Sequence, residues 1–121
     1  MSGQIRIAED ETPIRELLAT VFIDEGYRVV AVPDGQAALA ALAAEPYDVV
    51  LSNVMMPRLD GHALARAMQD DPALQGIPLL LMSAADSRLV PGAPHAAFIP
   101  KPFDLGDLLA TVERVLATAR T

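Results

Sequence analysis

The chain reads as an α/β domain built on a doubly wound, five-stranded parallel sheet. Short β-like runs alternate with helical stretches throughout its 121 residues. Two of those runs, Tyr47–Asn53 and Ile77–Ser83, are almost continuously apolar, the mark of strands buried on both faces. Strand–helix alternation implies right-handed crossovers, a parallel sheet and helices covering both faces. The length suits one domain over residues 1–121, with no internal repeat and no low-complexity linker.

Ile5–Ala8 alternates as a first strand and meets the acidic cluster Glu9-Asp10-Glu11. Thr12-Pro13 comes next as an N-cap with proline at the first helical position. Ile14, Leu17, Leu18, Val21 and Phe22 then form the stripe of an amphipathic helix, which Gly26 ends. Tyr27–Val32 is rich in β-branched residues and predicts the second strand. Asp34 caps an alanine-rich helix that stops before Pro46, and Tyr47–Asn53 is the central strand. A loop from Met55 to Gly61 leads into a third helix near Leu64–Gln69. Ile77–Ser83 and Ala96–Pro100 are the last two strands. Asp104 caps a final helix with Leu105, Leu108, Leu109, Val112, Val115 and Leu116 along one stripe. A further helix is due over Ala84–Pro94, but Pro91, Gly92 and Pro94 leave space for about two turns. That fourth helix is therefore expected to be shortened or irregular.

Composition narrows the function classes. Hydrophobic residues make up 52% and charged ones 21%, which is globular rather than disordered composition. Cysteine is absent, which excludes disulfide scaffolds, thiolate metal sites and thiol nucleophiles and fits a reducing cytoplasm. Sixteen acidic residues against nine basic give a net charge of −7, unfavourable for a phosphate backbone. Trp is absent too, so direct nucleic-acid binding is not expected. The longest apolar stretches, such as Ala37–Ala44 and Pro78–Met82, are too short to insert in a membrane. A secretory signal is not expected from the N-terminus, and the predicted localisation is cytoplasmic.

Open parallel sheets bind ligands at the carboxyl ends of their strands. Those ends carry Glu9 and Asp10, then Asn53, then Ser83, and finally Lys101. Two carboxylates, an amide, a hydroxyl and an ammonium thus converge on one edge from four strands. Adjacent carboxylates repel each other, and a hard cation with oxygen ligands such as Mg2+ relieves that repulsion. A lysine and a serine hydroxyl suit the oxygens of a phosphoryl group, whose transfer needs mainly positioning and charge neutralisation. A nucleophile is missing, because Asn53 is a carboxamide. Its plain alternative role is to satisfy neighbouring backbone groups, and Ser83 alone could simply cap the following segment. His62 and His95 are assigned to the surface, and Met55, Met56 and Met68 to packing.

Ile7–Glu11, Asp48–Pro57 with Asp60-Gly61, Met82–Ala84 and Lys101-Pro102-Phe103 together resemble the response-regulator receiver domain of two-component signalling. The resemblance, chemotaxis-regulator-like, covers essentially the whole chain. It implies the flavodoxin-like strand order 2-1-3-4-5. It implies Mg2+ held by Glu9 and Asp10 with Asn53 and the Met55 backbone carbonyl. It makes position 53 the phosphoacceptor, Ser83 the hydroxyl that moves towards the phosphoryl group, and Lys101 its ionic partner. Phe98 matches the aromatic whose rotamer reports activation, and Lys101-Pro102 the family's cis peptide. The implied partners are a sensor histidine kinase or histidine phosphotransfer protein and a downstream protein of unknown identity.

Two departures stand out. The family's acceptor aspartate is replaced by Asn53, which cannot form an acyl phosphate, so the chain is expected neither to be phosphorylated as written nor to act as an enzyme. Retention of Glu9, Asp10, Ser83 and Lys101 favours a single engineered or recent substitution over a decayed site; the alternative is a naturally phosphorylation-independent interaction module. Ser83 and Lys101 also stand only 18 positions apart, a shorter span than is usual in the family. A small nucleotide or flavin binder is disfavoured, because Glu9–Pro13 lacks the glycines that bring backbone amides to a phosphate.

Overall fold

The computed structural model describes residues 3–44, 47–56, 58–83 and 97–119. The elements run β1 (Gln4–Ala8), α1 (Thr12–Asp24), β2 (Arg28–Val32), α2 (Gly35–Ala44), β3 (Val49–Asn53), α3 (Gly61–Asp70), β4 (Leu79–Ser83), β5 (Ala97–Pro100) and α4 (Leu105–Ala119). The five strands form one sheet in the order β2-β1-β3-β4-β5, every pair parallel. The helix expected over Ala84–Pro94 and the surface position of His95 lie outside the described residues.

Side-chain alternation along the central strands divides the core into two layers. Ile5, Ile7, Val49, Leu51, Leu80 and Met82 pack with Leu18 and Phe22 of α1 and Leu108, Val112 and Leu116 of α4. Ala8, Val50, Leu79 and Leu81 pack with Ala38 and Leu42 of α2 and Leu64, Ala65 and Met68 of α3. The sheet is thus covered on both faces. Arg6 is buried, and its guanidinium lies 4.9 Å from the centre of the Tyr47 ring, an arrangement in which the ring face attracts the cation.

Several boundaries differ from expectation for local reasons. The N-cap of α1 is Glu11, whose extended backbone offers its carbonyl to the Arg15 amide at 2.9 Å; Thr12 is already helical. The α1 stripe is covered only in part: Leu18 and Phe22 are buried while Leu17 is 49% exposed. At the C-terminus Gly26 takes φ 95°, its amide bonds to the Ile23 carbonyl and the Tyr27 amide to that of Phe22. This paired closure absorbs Tyr27, and β2 starts at Arg28. Likewise Asp48 is occupied in accepting the Gln4 amide at 2.7 Å, and β3 begins one residue later. Helix α3 starts at Gly61, three residues before the predicted Leu64. Asp60 caps it through the Ala63 amide at 2.8 Å. Gly61 is there for closeness rather than for a turn: a Cβ would lie 2.7 Å from the Asn53 carbonyl oxygen.

Candidate functional site

Backbone pairing continues one residue beyond three strand ends. The Glu9 amide donates to the Val32 carbonyl at 3.0 Å, Val54 to Met82 at 2.8 Å, and Lys101 to Ser83 at 2.8 Å. The residues at the carboxyl edge are therefore held by the sheet itself. Glu9, Asn53 and Ser83 are all buried, Lys101 is half-buried, and Asp10 is exposed.

Glu9 is fully buried, and each carboxylate oxygen has donors. Lys101 Nζ lies 3.0 Å from Oε1, while Oε2 accepts the Glu11 amide at 3.2 Å and Asn53 Nδ2 at 3.3 Å. Burial pushes the Glu9 carboxyl above its ordinary value, and Lys101 and the Glu11 amide pull against that shift. Asn53 Nδ2 also donates to Asp10 Oδ1 at 3.2 Å and to the Met55 carbonyl at 2.9 Å. Three oxygens, two from the end of β1 and one from the loop after β3, thus face one nitrogen at the end of β3. Hard oxygen donors in this arrangement are chemically suited to a cation such as Mg2+.

Glu9, Asp10, Asn53, the Met55 carbonyl and Lys101 are joined in one hydrogen-bonded network. Ser83 ends the neighbouring strand, with its carbonyl accepting the Lys101 amide. The Lys101–Pro102 peptide is cis. Phe98 packs against the α2/α3 core layer and borders a cavity of about 220 Å³ shared with Phe103, Leu108 and Thr111. Two assignments change, one from packing and one from the surface. The Met55 side chain is 68% exposed, so its contribution at the site is its backbone and not packing. His62 is half-buried, and both ring nitrogens are shielded without a hydrogen-bond partner among the described residues.

One contributor was not anticipated. Arg58, at φ 66°, lies in the loop that supplies the Met55 carbonyl, and its guanidinium meets Asp34 Oδ2 at 2.8 Å. Asp34 Oδ1 simultaneously caps α2 through the Ala37 amide at 2.8 Å. That cap, and then the Arg58 charge, hold the Asp34 carboxyl below its ordinary value. Beside this clasp the Leu59 carbonyl is seated where Gly35 lacks a Cβ. Only the acidic cap was visible in the sequence; the two partners are 24 positions apart.

A family pattern described as "Response regulator receiver domain" matches residues 5–113. The chain is a response-regulator receiver domain. This receiver is 35% identical to the transcriptional activator protein PfeR of Pseudomonas aeruginosa over 98% of its own length and 39% of that protein's. It is 36% identical to the response regulator PleD of Caulobacter vibrioides over 93% of its length and 26% of PleD's. The receiver therefore spans well under half of either relative. Among solved structures it resembles the signal receiver domain of a signal transduction histidine kinase from Syntrophus aciditrophicus. That match has a TM-score of 0.89 at 32% identity, covering 96% of this chain and 91% of that one. No helix among the described residues is long and apolar enough to cross a membrane.

Proposed function

We propose that this receiver is the phosphoacceptor module of a two-component phosphorelay, with its acceptor position occupied by Asn53 and hence unable to take a phosphoryl group as written. The observation that supports this most directly is the network at the end of β3, where Asn53 is hydrogen-bonded to Glu9, Asp10 and the Met55 carbonyl. An aspartate at 53 would offer a carboxylate oxygen to phosphorus; the carboxamide has none. In that phosphorylatable form the domain would assist its own phosphoryl transfer from a histidine kinase or phosphotransfer protein, and this chain is not an enzyme.

Glu9, Asp10, the Met55 carbonyl and the Asn53 side-chain oxygen would hold Mg2+, the last after rotation of the carboxamide. The ion would neutralise charge developing on a phosphoryl group. Lys101 supplies fixed positive charge beside Glu9, and Ser83, at the end of the next strand, would contact a phosphoryl oxygen through its hydroxyl. Activity is cytoplasmic, directed at a downstream protein and not at nucleic acid, in keeping with the net charge of −7.

The discriminating experiment is intact mass after incubation with Mg2+ and a small phosphodonor, on this chain and on Asn53→Asp. Gain of a hydroxylamine-sensitive phosphoryl group by Asn53→Asp alone is the expected result. A second reading, a phosphorylation-independent interaction module, is favoured by the amide already satisfying the acidic pair. It requires that neither form is phosphorylated.

A further inference from the structure

We infer that the Asn53 carboxamide is a built-in stand-in for the divalent cation, so that the acidic site is assembled without metal and Mg2+ must displace the amide to enter. This rests on the assignment of Glu9, Asp10 and the Met55 carbonyl as the Mg2+ site. Among the described residues, Nδ2 meets three acceptor oxygens: Glu9 Oε2 at 3.3 Å, Asp10 Oδ1 at 3.2 Å and Met55 O at 2.9 Å. None can donate when the carboxyls are ionised, so the orientation of the amide is dictated by its surroundings. Turned over, Asn53 would aim its own oxygen at three others, a repulsive arrangement unless a cation stood between them.

The rest of the site is already balanced. Lys101 faces one oxygen of buried Glu9, and the other receives the Glu11 amide as well as Asn53. Position 53 thus supplies what a metal would: positive hydrogens directed at converging oxygens. It does so at hydrogen-bond lengths, whereas Mg2+ requires contacts of about 2.0–2.1 Å. The donating NH2 group and the ion consequently compete for the same oxygens, and Mg2+ enters only once the carboxamide has turned or moved aside. The effect goes beyond the charge lost relative to aspartate, because a neutral residue without an amide would leave the oxygens open to the ion.

That difference gives the test. Asn53→Ala keeps the charge of the native chain and removes both the amide and its potential ligand oxygen. If the amide is the competitor, Asn53→Ala binds Mg2+ at least about threefold tighter than the native chain, a change within the range of one hydrogen bond to a carboxylate. Equal or weaker binding, measured by NMR titration on the intact chain, overturns the inference. The native chain alone provides a second arm that needs no variant to fold. In EDTA its Asn53 side-chain amide protons should exchange much more slowly than those of a free carboxamide, and Mg2+ should abolish that protection. Fast exchange in EDTA, or protection indifferent to bound Mg2+, also overturns it. The phosphodonor experiment on Asn53→Asp reports separately on the phosphorelay reading: phosphorylation with an unprotected native amide sinks only the stand-in, and a protected amide without phosphorylation sinks only the phosphoacceptor assignment.

Discussion

Replacing Lys101 with methionine tests whether the site's charge balance is a structural necessity. Glu9 has no exposed side-chain surface, Lys101 retains 14%, and their charged atoms are 3.0 Å apart. At an effective dielectric near 20 such a pair attracts by about 5–6 kcal/mol before desolvation is subtracted. Removing one member of a buried pair typically costs about 3–5 kcal/mol, since the other charge stays buried. Here water reaches the lysine side, and the Glu11 amide and Asn53 still donate to Oε2, which lowers the expected loss to about 2–3 kcal/mol. For a domain of this size that is a fall in Tm of roughly 10 °C.

The pH dependence supplies a sign. The folded-state pKa of Glu9 is raised from 4.5, so charged Glu9 is a cost fully present above that raised value and absent once the pH is below the unfolded one. Without Lys101 the folded-state pKa rises further. The deficit of Lys101→Met should therefore be largest near neutrality and shrink as the solution is acidified, followed by thermal unfolding across the acid range. In a Glu9→Gln background the same substitution should cost under about 1 kcal/mol, because no charge is stranded. A neutral-pH loss below about 0.5 kcal/mol, or an equal loss in both backgrounds, would refute the reasoning.

Other substitutions probe the scaffold. Gly35→Ala would bring a Cβ within 2.1 Å of the Leu59 carbonyl oxygen, so urea unfolding should show a loss of at least about 2 kcal/mol as the site loop is pushed away. Asp34 has a lowered pKa, so its contribution is present above 3.8 and lost as the pH falls through the lowered value. Asp34→Asn should flatten the acid limb of the urea-midpoint profile; an unchanged limb would mean that the cap and Arg58 do not act through its charge. Leu81→Ala, in the buried layer beneath α3, should cost about 2–5 kcal/mol, while Leu17→Ala on the 49% exposed edge of α1 should stay within about 0.5 kcal/mol. Similar losses for the two leucines in one denaturation assay would contradict the assigned layers.

Much of this architecture was legible because its signals are local. Nearly uninterrupted apolar runs mark β3 and β4, both buried along their whole length, and the caps Asp34 and Asp104 announce two helices. Parallel strands all end on one edge, so Glu9, Asp10, Asn53, Ser83 and Lys101 could be assigned a common address from strand boundaries alone. What escaped depends on contacts between distant segments. Gly61 resembles a loop glycine until α3 is seen pressed against β3. The Arg58–Asp34 clasp joins a loop to a helix start with no periodic relation between them. Leu17 belongs to an apolar stripe by spacing, but only the packing of α1 on the sheet decides which stripe positions are covered, and Leu17 is left 49% exposed.

The geometry at the carboxyl edge and its chemistry have different origins. Glu9, Val54 and Lys101 are held by backbone bonds to neighbouring strands, and those bonds are indifferent to the side chain at 53. Gly61 and Gly35 let α3 and the site loop seat against β3 and α2, again through main chain. An aspartate at 53 would therefore meet almost the same surroundings as the carboxamide, with one decisive exchange: a negative oxygen would replace the group that now donates to Glu9, Asp10 and Met55. Three carboxylates would then share one lysine, and their mutual repulsion would favour a cation where the amide now donates. On the proposed assignment of the Mg2+ site, a single atom would thus decide between a metal-dependent site and a self-neutralised one, while the fold that presents it stays the same.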